Sequence, residues 1–326
     1  MDYFSETYGN FQFRQIRLLE FPVYGRFAQS FANTIPNGEA GGYVADFSDP
    51  NDFDHAYYLT AHELAHQWWG HQITPNATLG SNLLSESLAE YSAIILTERK
   101  YGKDNIKQFL KMNLDGYLQG RANETDKENL FINCNRSYQW YYKGSLILYG
   151  LRDLIGPEAM DSALYKFNQD FGMRQEPPFP GSSDLYNYLA EATPDSLMYY
   201  LDDTWNKITL YDNRTDEATA IKVTEDEFDV TLNIRSQKLY ADESGKESDA
   251  EYEADYIDIG IFTKDDTDEN GRIRVNPLYI QKHRIKPGQS SITLRVKGEP
   301  VKAGIDPYNK LIDRIPDDNI VKITMK

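Results

Sequence analysis

Two periodicities divide the chain. Through residues 54–206 apolar side chains recur at three- and four-residue spacing, which is the pattern of helices with one buried face. That spacing predicts helices over residues 54–72, 81–102, 103–118, 138–155, 158–171, 183–191 and 195–206, separated by Gly, Pro and polar connections. From about Ala220 the pattern changes to alternation in the runs IKVTEDEFDVTLNIRS, EYEADYIDIGIFT, RIRVNPLYIQKHRI, SITLRVKG and NIVKITMK. A period of two residues predicts strands, and several in succession with no helical pattern point to a separate β-sandwich. The first 22 residues predict a short helix and then a strand, FRQIRLLEF, stopped at Pro22. An irregular stretch follows, leading to a short strand YVADF at residues 43–47. The expected organisation is an α+β chain, with a mainly helical domain over residues 1–217 and a β-sandwich domain over residues 218–326.

One helical segment carries chemistry. In TAHELAHQWWGHQI, His62, Glu63 and His66 form the arrangement H-E-x-x-H. Positions four apart on a helix lie one above the other, so both imidazoles project toward a common point, as two ligands of one zinc ion do. Glu63 follows the first histidine, where its carboxylate can stand beside the metal and take a proton from water. Catalytic zinc usually keeps three protein ligands, and Glu86 in SNLLSESLAEYSAIILTERKYG offers the third from a neighbouring helix. Ser81 and Ser85 are candidate caps of that second helix. Glu90, one turn beyond Glu86, is placed to orient a ligating histidine from behind. His71, nine residues after His62, would turn to the far face of a continuous helix, and Trp68 and Trp69 read as packing residues.

The run HELAHQWWGH, a glutamate about a helix-turn-helix later, and then YYKGSLILYGLRDLIG resemble the aminopeptidase N family of zinc gluzincins. The resemblance implies a thermolysin-like catalytic domain, one zinc ion and hydrolysis of peptides from the N-terminus. The family's Y-x-K-G tyrosine matches Tyr141, where a phenol would donate to the oxyanion of the reaction. Trp140 and Tyr142 beside it read as packing. The family's glutamate that holds the substrate amine matches Glu39 in NGEAGG. Its usual spacing from the second histidine to the glutamate ligand would select Ser85; choosing Glu86 requires one more residue in the connection TPNATLGS, whose Pro, Asn and Gly can absorb it. A β domain often follows the catalytic domain in the family. The QWWGH and SESLAEY variants resemble domains attached to membrane-embedded transporter permeases of bacteria, which makes such segments expected partners.

Composition narrows the functions. With 40% hydrophobic and 13% aromatic residues, the chain has the material for a packed core. A net charge of −17 disfavours nucleic acid and anionic lipid as direct partners and suits cationic peptides. The lone Cys134 excludes an internal disulfide and a cysteine zinc cluster. No run of residues has the length of an apolar membrane span, and Met1-Asp2-Tyr3-Phe4 does not open a signal peptide. Asp266-Thr267-Asp268-Glu269-Asn270-Gly271 imitates half of a calcium loop, yet its twelfth position is Pro277, so a hairpin turn is expected. The polar connection QGRANETDKENL is a candidate rim loop, and the closing segment AGIDPYNKLIDRIPDDN is expected to wrap the β domain as a polar strap. Three functions remain: a zinc aminopeptidase, a zinc endopeptidase or oligopeptidase without amine selection, and a weakly active zinc-stabilised interaction module of a membrane complex.

Overall fold

The structure is a computed structural model and describes the chain except residues 24–26, 45, 47, 104, 105, 124–127 and 243. Part of the expected rim loop and of the YVADF segment lies outside the described residues. The chain divides into two compact units, one of residues 1–101 and 115–208, the other of residues 102–114 and 209–326. Helix and sheet are both present, in the mixed arrangement the sequence predicts.

The first unit begins with α1 (Asp2–Tyr8) and a parallel pair of strands, β1 (Arg17–Phe21) and β2 (Thr34–Gly38). β2 is not visible in the apolar pattern, because Thr-Ile-Pro-Asn-Gly reads as a turn. Its pairing comes from β1, with Leu18 opposite Ile35 and Glu20 opposite Asn37. A short α2 (Glu39–Gly42) follows, so Tyr43 and Val44 lie in a turn after a helix and not in the expected strand.

Next come α3 (His55–Ala65) and α4 (Glu86–Tyr101), the pair that frames the candidate site. Asp54 caps α3 by accepting from the Tyr57 amide at 3.0 Å. α4 buries residues on nearly all sides, among them Leu88, Tyr91, Ile94 and Ile95, so it is the helix around which the unit packs. Its first turn holds Glu86 and its last turn Arg99 and Lys100, each sign at the end where the helix dipole favours it. Trp68 and Trp69 are fully buried, with Trp68 donating to the Gly9 carbonyl at 2.7 Å and Trp69 to Ser92 Oγ at 3.1 Å. They pack, as expected.

Beyond α4 run α5 (Lys107–Ala122), α6 (Gly144–Ile155), α7 (Pro157–Phe171), α8 (Ser182–Ala192) and α9 (Met198–Trp205). Gly156, at φ 90°, ends α6, and Pro157 starts α7 at the position where a missing N–H costs nothing. Cys134 is buried, and burial pushes its thiol up to about 12, so it is an inert small hydrophobe. Among the described residues no helix is long and apolar enough to cross a membrane.

The second unit is mostly sheet. Its strands are β3 (Ile208–Tyr211), β4 (Arg214–Lys222), β5 (Glu227–Ser236), β6 (Lys238–Ala241), β7 (Glu247–Asp249), β8 (Asp255–Phe262), β9 (Asp266–Thr267), β10 (Ile273–Arg274), β11 (Pro277–Ile285), β12 (Gly288–Lys297), β13 (Lys302–Ile305) and β14 (Ile320–Met325). Among the described residues seven of them form one sheet in the order β11-β8-β13-β14-β4-β5-β12. β14 runs parallel to β4 and antiparallel to β13, and β5 pairs with β12 from Ser236–Gly288 to Glu227–Lys297. The alternating positions Val230, Leu232 and Ile234 meet Ile257, Ile259 and Ile261 in one core. Asp268 closes the β9–β10 hairpin by accepting from the Asn270 and Arg272 amides, so the calcium-like sequence is a turn.

The closing segment differs from the expected polar strap. Residues 303–310 are buried, and the charged groups of Asp306 and Lys310 find their partners inside the unit. Asp306 accepts from the Lys310 and Leu311 amides at 2.9 and 3.0 Å, while Lys310 Nζ reaches Asp258 Oδ2 at 2.6 Å. Hydrophilic composition predicts exposure only when no internal partners exist.

Candidate metal and hydrolytic site

Helix α3 ends at Ala65, well short of the expected residue 72, and His66 occupies its C-cap. The cap is still helical (φ −59°, ψ −19°) and its amide bonds the His62 carbonyl at 3.3 Å, so the i, i+4 relation survives. The two Nε2 atoms face each other at 3.0 Å. Glu86, the first residue of α4, brings Oε2 to 3.5 Å from His62 Nε2 and 3.4 Å from His66 Nε2. Ligand atoms 2.0–2.1 Å from a tetrahedral zinc stand roughly 3.3 Å apart, so the spacing of these three atoms fits such an ion.

Glu86, and not Ser85, stands beside the two Nε2 atoms. Ser85 does not face the cluster; its Oγ lies 3.3 Å from His66 Nδ1, on the outer side of the ring. The additional residue is taken up between Thr74 and Ser85, where Gly80 adopts φ 82° and a 3-10 turn over Ser81–Leu84 leads into α4. Neither serine caps α4: Ser81 Oγ is used within the loop by Asn76 and Thr78.

The outer nitrogens have their own partners. His66 Nδ1 lies 2.9 Å from the Trp69 carbonyl, which acts as acceptor and leaves Nε2 as the free lone pair. His62 Nδ1 lies 3.2 Å from Glu90 Oε1, and the other oxygen of Glu90 accepts from the Tyr58 hydroxyl. Tyr58 was not distinguishable from a packing aromatic in the sequence.

Three carboxylates surround two imidazoles, and the protonation balance shows how strongly positive charge is favoured there. Burial pulls the His62 imidazolium down, but Glu90 and Glu86 outweigh it and push it up to about 10. Glu86 is held far below the usual carboxylate range: burial opposes this, and the two histidines win. A divalent cation supplies the same compensation. Glu63 behaves differently. It is 5% exposed, and burial raises its carboxyl above the ordinary value against the pull of His62 and His66. A carboxylate made more basic by desolvation is suited to accept a proton.

Tyr141 lies in a single π-helical turn, Gln139–Lys143, that runs into α6. The periodicity of residues 138–155 predicted one continuous helix and did not reveal this turn. The Tyr141 ring centroid is 6.1 Å from that of His62. Its phenol is driven up by burial first and Glu86 second, so it stays protonated and able to donate. Of its neighbours, Tyr142 packs on Gly116.

These groups line one cleft of about 440 Å³, formed by His62, Glu63, His66, Glu86 and Tyr141 with Phe27, Ala28, Gln29, Ser30, Gly70, His71 and Ser85. The volume is that of a small-molecule or short-peptide site. His71 lies in this cleft and not on a far face, because the helix stops before it; its Nε2 is 3.2 Å from the Ser30 carbonyl. Gln67 holds the same wall, donating to Ser30 Oγ at 2.6 Å and to the Phe31 carbonyl at 2.8 Å. Glu39 stands at the N-terminus of α2, half-buried, and is not among the lining residues.

Residues 44–205, about half of the chain, match the sequence model of the peptidase family M1 domain. The chain belongs to the M1 peptidases. The match takes in α3, α4 and the Tyr141 turn. The crystal structure of Legionella pneumophila aminopeptidase A in complex with aspartic acid is similar to this M1 chain over its whole length. That similarity has 16% identity and a TM-score of 0.56, and the chain spans 33% of the Legionella protein. At that identity the likeness is one of fold. A mutant M1 zinc metallopeptidase from Deinococcus radiodurans, bound to a Tyr-Ser-Ala substrate, is 20% identical over 62% of this chain and 41% of its own, with a TM-score of 0.43. No curated protein sequence matches this M1 chain. Zinc is the ion the family implies, and two imidazoles with one carboxylate are a donor set that suits it.

Proposed function

We propose that the chain is a zinc-dependent peptide hydrolase that removes N-terminal residues, with His62, His66 and Glu86 holding one zinc ion. The observation that carries this reading is the convergence of the three ligand atoms beside Glu63 and Tyr141 in a single cleft. Zinc, when bound, supplies a Lewis acid that polarises water and the scissile carbonyl. Glu63 removes the proton of the attacking water and passes it to the leaving amine, a role its raised basicity supports. Tyr141 O–H donates to the oxyanion that develops at the carbonyl. Glu90, Tyr58 and the Trp69 carbonyl hold the imidazoles in orientation. In this reading residues 1–217 are a thermolysin-like catalytic domain and residues 218–326 a β-sandwich that follows it.

Selection of the free amine is assigned to Glu39, on the resemblance of NGEAGG to the family motif. One observation favours a second reading, an endopeptidase without amine selection: Glu39 is not among the residues that line the cleft. A pair of otherwise identical peptides, one free and one N-acetylated, decides between them. Cleavage of the free peptide alone supports the aminopeptidase; equal cleavage supports the endopeptidase; cleavage of neither by zinc-loaded protein overturns both.

A further inference from the structure

The residue after the third metal-facing group and the residue before Tyr141 are joined. Ser87, fully buried on α4, donates its hydroxyl proton to the Trp140 carbonyl at 2.6 Å. The approach is close because residue 144 is glycine: a Cβ there would lie 2.2 Å from Ser87 Oγ and 2.5 Å from its Cβ. The far side of the same π-turn is pinned as well. Lys143, its last residue and 1% exposed, reaches Glu128 Oε1 at 3.2 Å. Tyr117 donates to that oxygen at 2.9 Å, and Arg121 donates to Oε2 of the same carboxylate. A buried carboxylate with three donors is a fixed anchor.

From these contacts we infer that Ser87 is a positioning residue for Tyr141, coupling it to Glu86 across one peptide unit on each side. π-turns are poor in intrinsic stability, so their carbonyls take outside donors readily. The Trp140 carbonyl finds one on the helix that carries a metal-facing carboxylate, and the clamp at Glu128 stops the turn from relaxing away. The distance between phenol and metal-facing groups is therefore set by α4 and not by the π-turn alone. This inference rests on the hydrolytic role proposed for Tyr141 and adds a residue to it.

The test is a double-mutant cycle with a structural readout. Ser87→Ala removes one buried hydrogen bond, worth about 1 kcal/mol, which corresponds to roughly a fivefold to tenfold fall in kcat. Zinc content and KM should be unchanged. In a Tyr141→Phe background the same substitution should change kcat by less than about twofold, since the group being positioned is gone. Equal effects in both backgrounds overturn the inference. Independently of activity, 3-fluorotyrosine at position 141 reports its surroundings by 19F NMR in metal-free protein. A displaced or split resonance in Ser87→Ala supports positioning, and an unchanged resonance overturns it. If instead Tyr141→Phe hydrolyses peptide as fast as the unmodified protein, the role given to the phenol fails, while the NMR comparison still decides whether Ser87 places the ring.

Discussion

His62 Nδ1 stands 3.2 Å from Glu90 Oε1, with Tyr58 holding the other oxygen of that carboxylate. If His62 holds zinc as proposed, this contact places the carboxylate behind the ring, on the side away from His66 and Glu86, where it would support the ring's orientation. Glu90→Ala should therefore weaken zinc binding by about 10- to 100-fold, read by titration against a chelator of known affinity. Unchanged affinity would show that the Glu90 contact is incidental.

Glu63 touches the same cleft without joining the three ligand atoms. Glu63→Gln keeps size and hydrogen bonding but cannot accept the proton, so hydrolysis should fall by about 10²- to 10⁴-fold. Zinc stoichiometry, measured by atomic emission, should stay as in the unmodified protein. Normal turnover would remove the base assignment.

The fully buried contact at Gly144 sets a packing prediction. Gly144→Ala places a methyl group 2.2 Å from Ser87 Oγ, and overpacking of that kind costs about 1–3 kcal/mol. Thermal unfolding of the protein should shift down accordingly. An unchanged Tm would mean that α4 and the π-turn separate at little cost.

Stability should depend on pH with opposite signs in the two units. In the second unit burial lifts Asp306 to about 6 and Asp313 to about 7, despite the backbone amides that each accepts from. Between the ordinary carboxylate pKa and these values the folded state binds more protons than the unfolded one, so stability falls as pH rises through that window and the loss is complete above it. In the first unit burial opposes ionisation of Glu128, but Lys143 and Arg121 outweigh it and hold its carboxyl below the ordinary range. Its contribution is present at neutral pH and is lost as pH falls through the folded value. Hydrogen exchange resolved by segment, compared at pH 5 and pH 8, should show residues 209–326 better protected at the lower pH. Asp313→Asn should flatten that difference; no change on substitution would refute the assignment.

Much of this architecture is legible in the residues. The helices around α4, the long strands of the second unit and the i, i+4 pairing of His62 with His66 follow from period and spacing, whereas Glu86 lies beside them although the family's usual spacing points to Ser85. What escapes is decided by contacts distant in sequence. α3 stops at Ala65 because the chain turns to satisfy the Trp69 and Trp68 carbonyls, and no local breaker before Gly70 announces it. β2 exists because β1 pairs with it, although Pro36 argues against a strand. The segment around Asp306 is buried because Asp258, Lys310 and backbone amides meet there, which composition alone cannot express. Ser87 looks like any small helix residue until Trp140, 53 positions away, is set beside it.

The π-turn at Gln139–Lys143 has a geometric consequence. Each residue of an α-helix advances the azimuth by about 100°, so a turn that accommodates one more residue leaves the segments before and after it out of phase by about that angle. Upstream, the Tyr138 ring packs tilted against Tyr117, 5.8 Å between centroids; downstream, Leu146, Leu148 and Leu151 are buried. A regular helix drawn through the same stretch could seat one of these groups and would swing the other toward solvent. The widened turn is thus a phase shifter: it lets a single rod serve two packing surfaces, with the phenol carried at the point of dislocation.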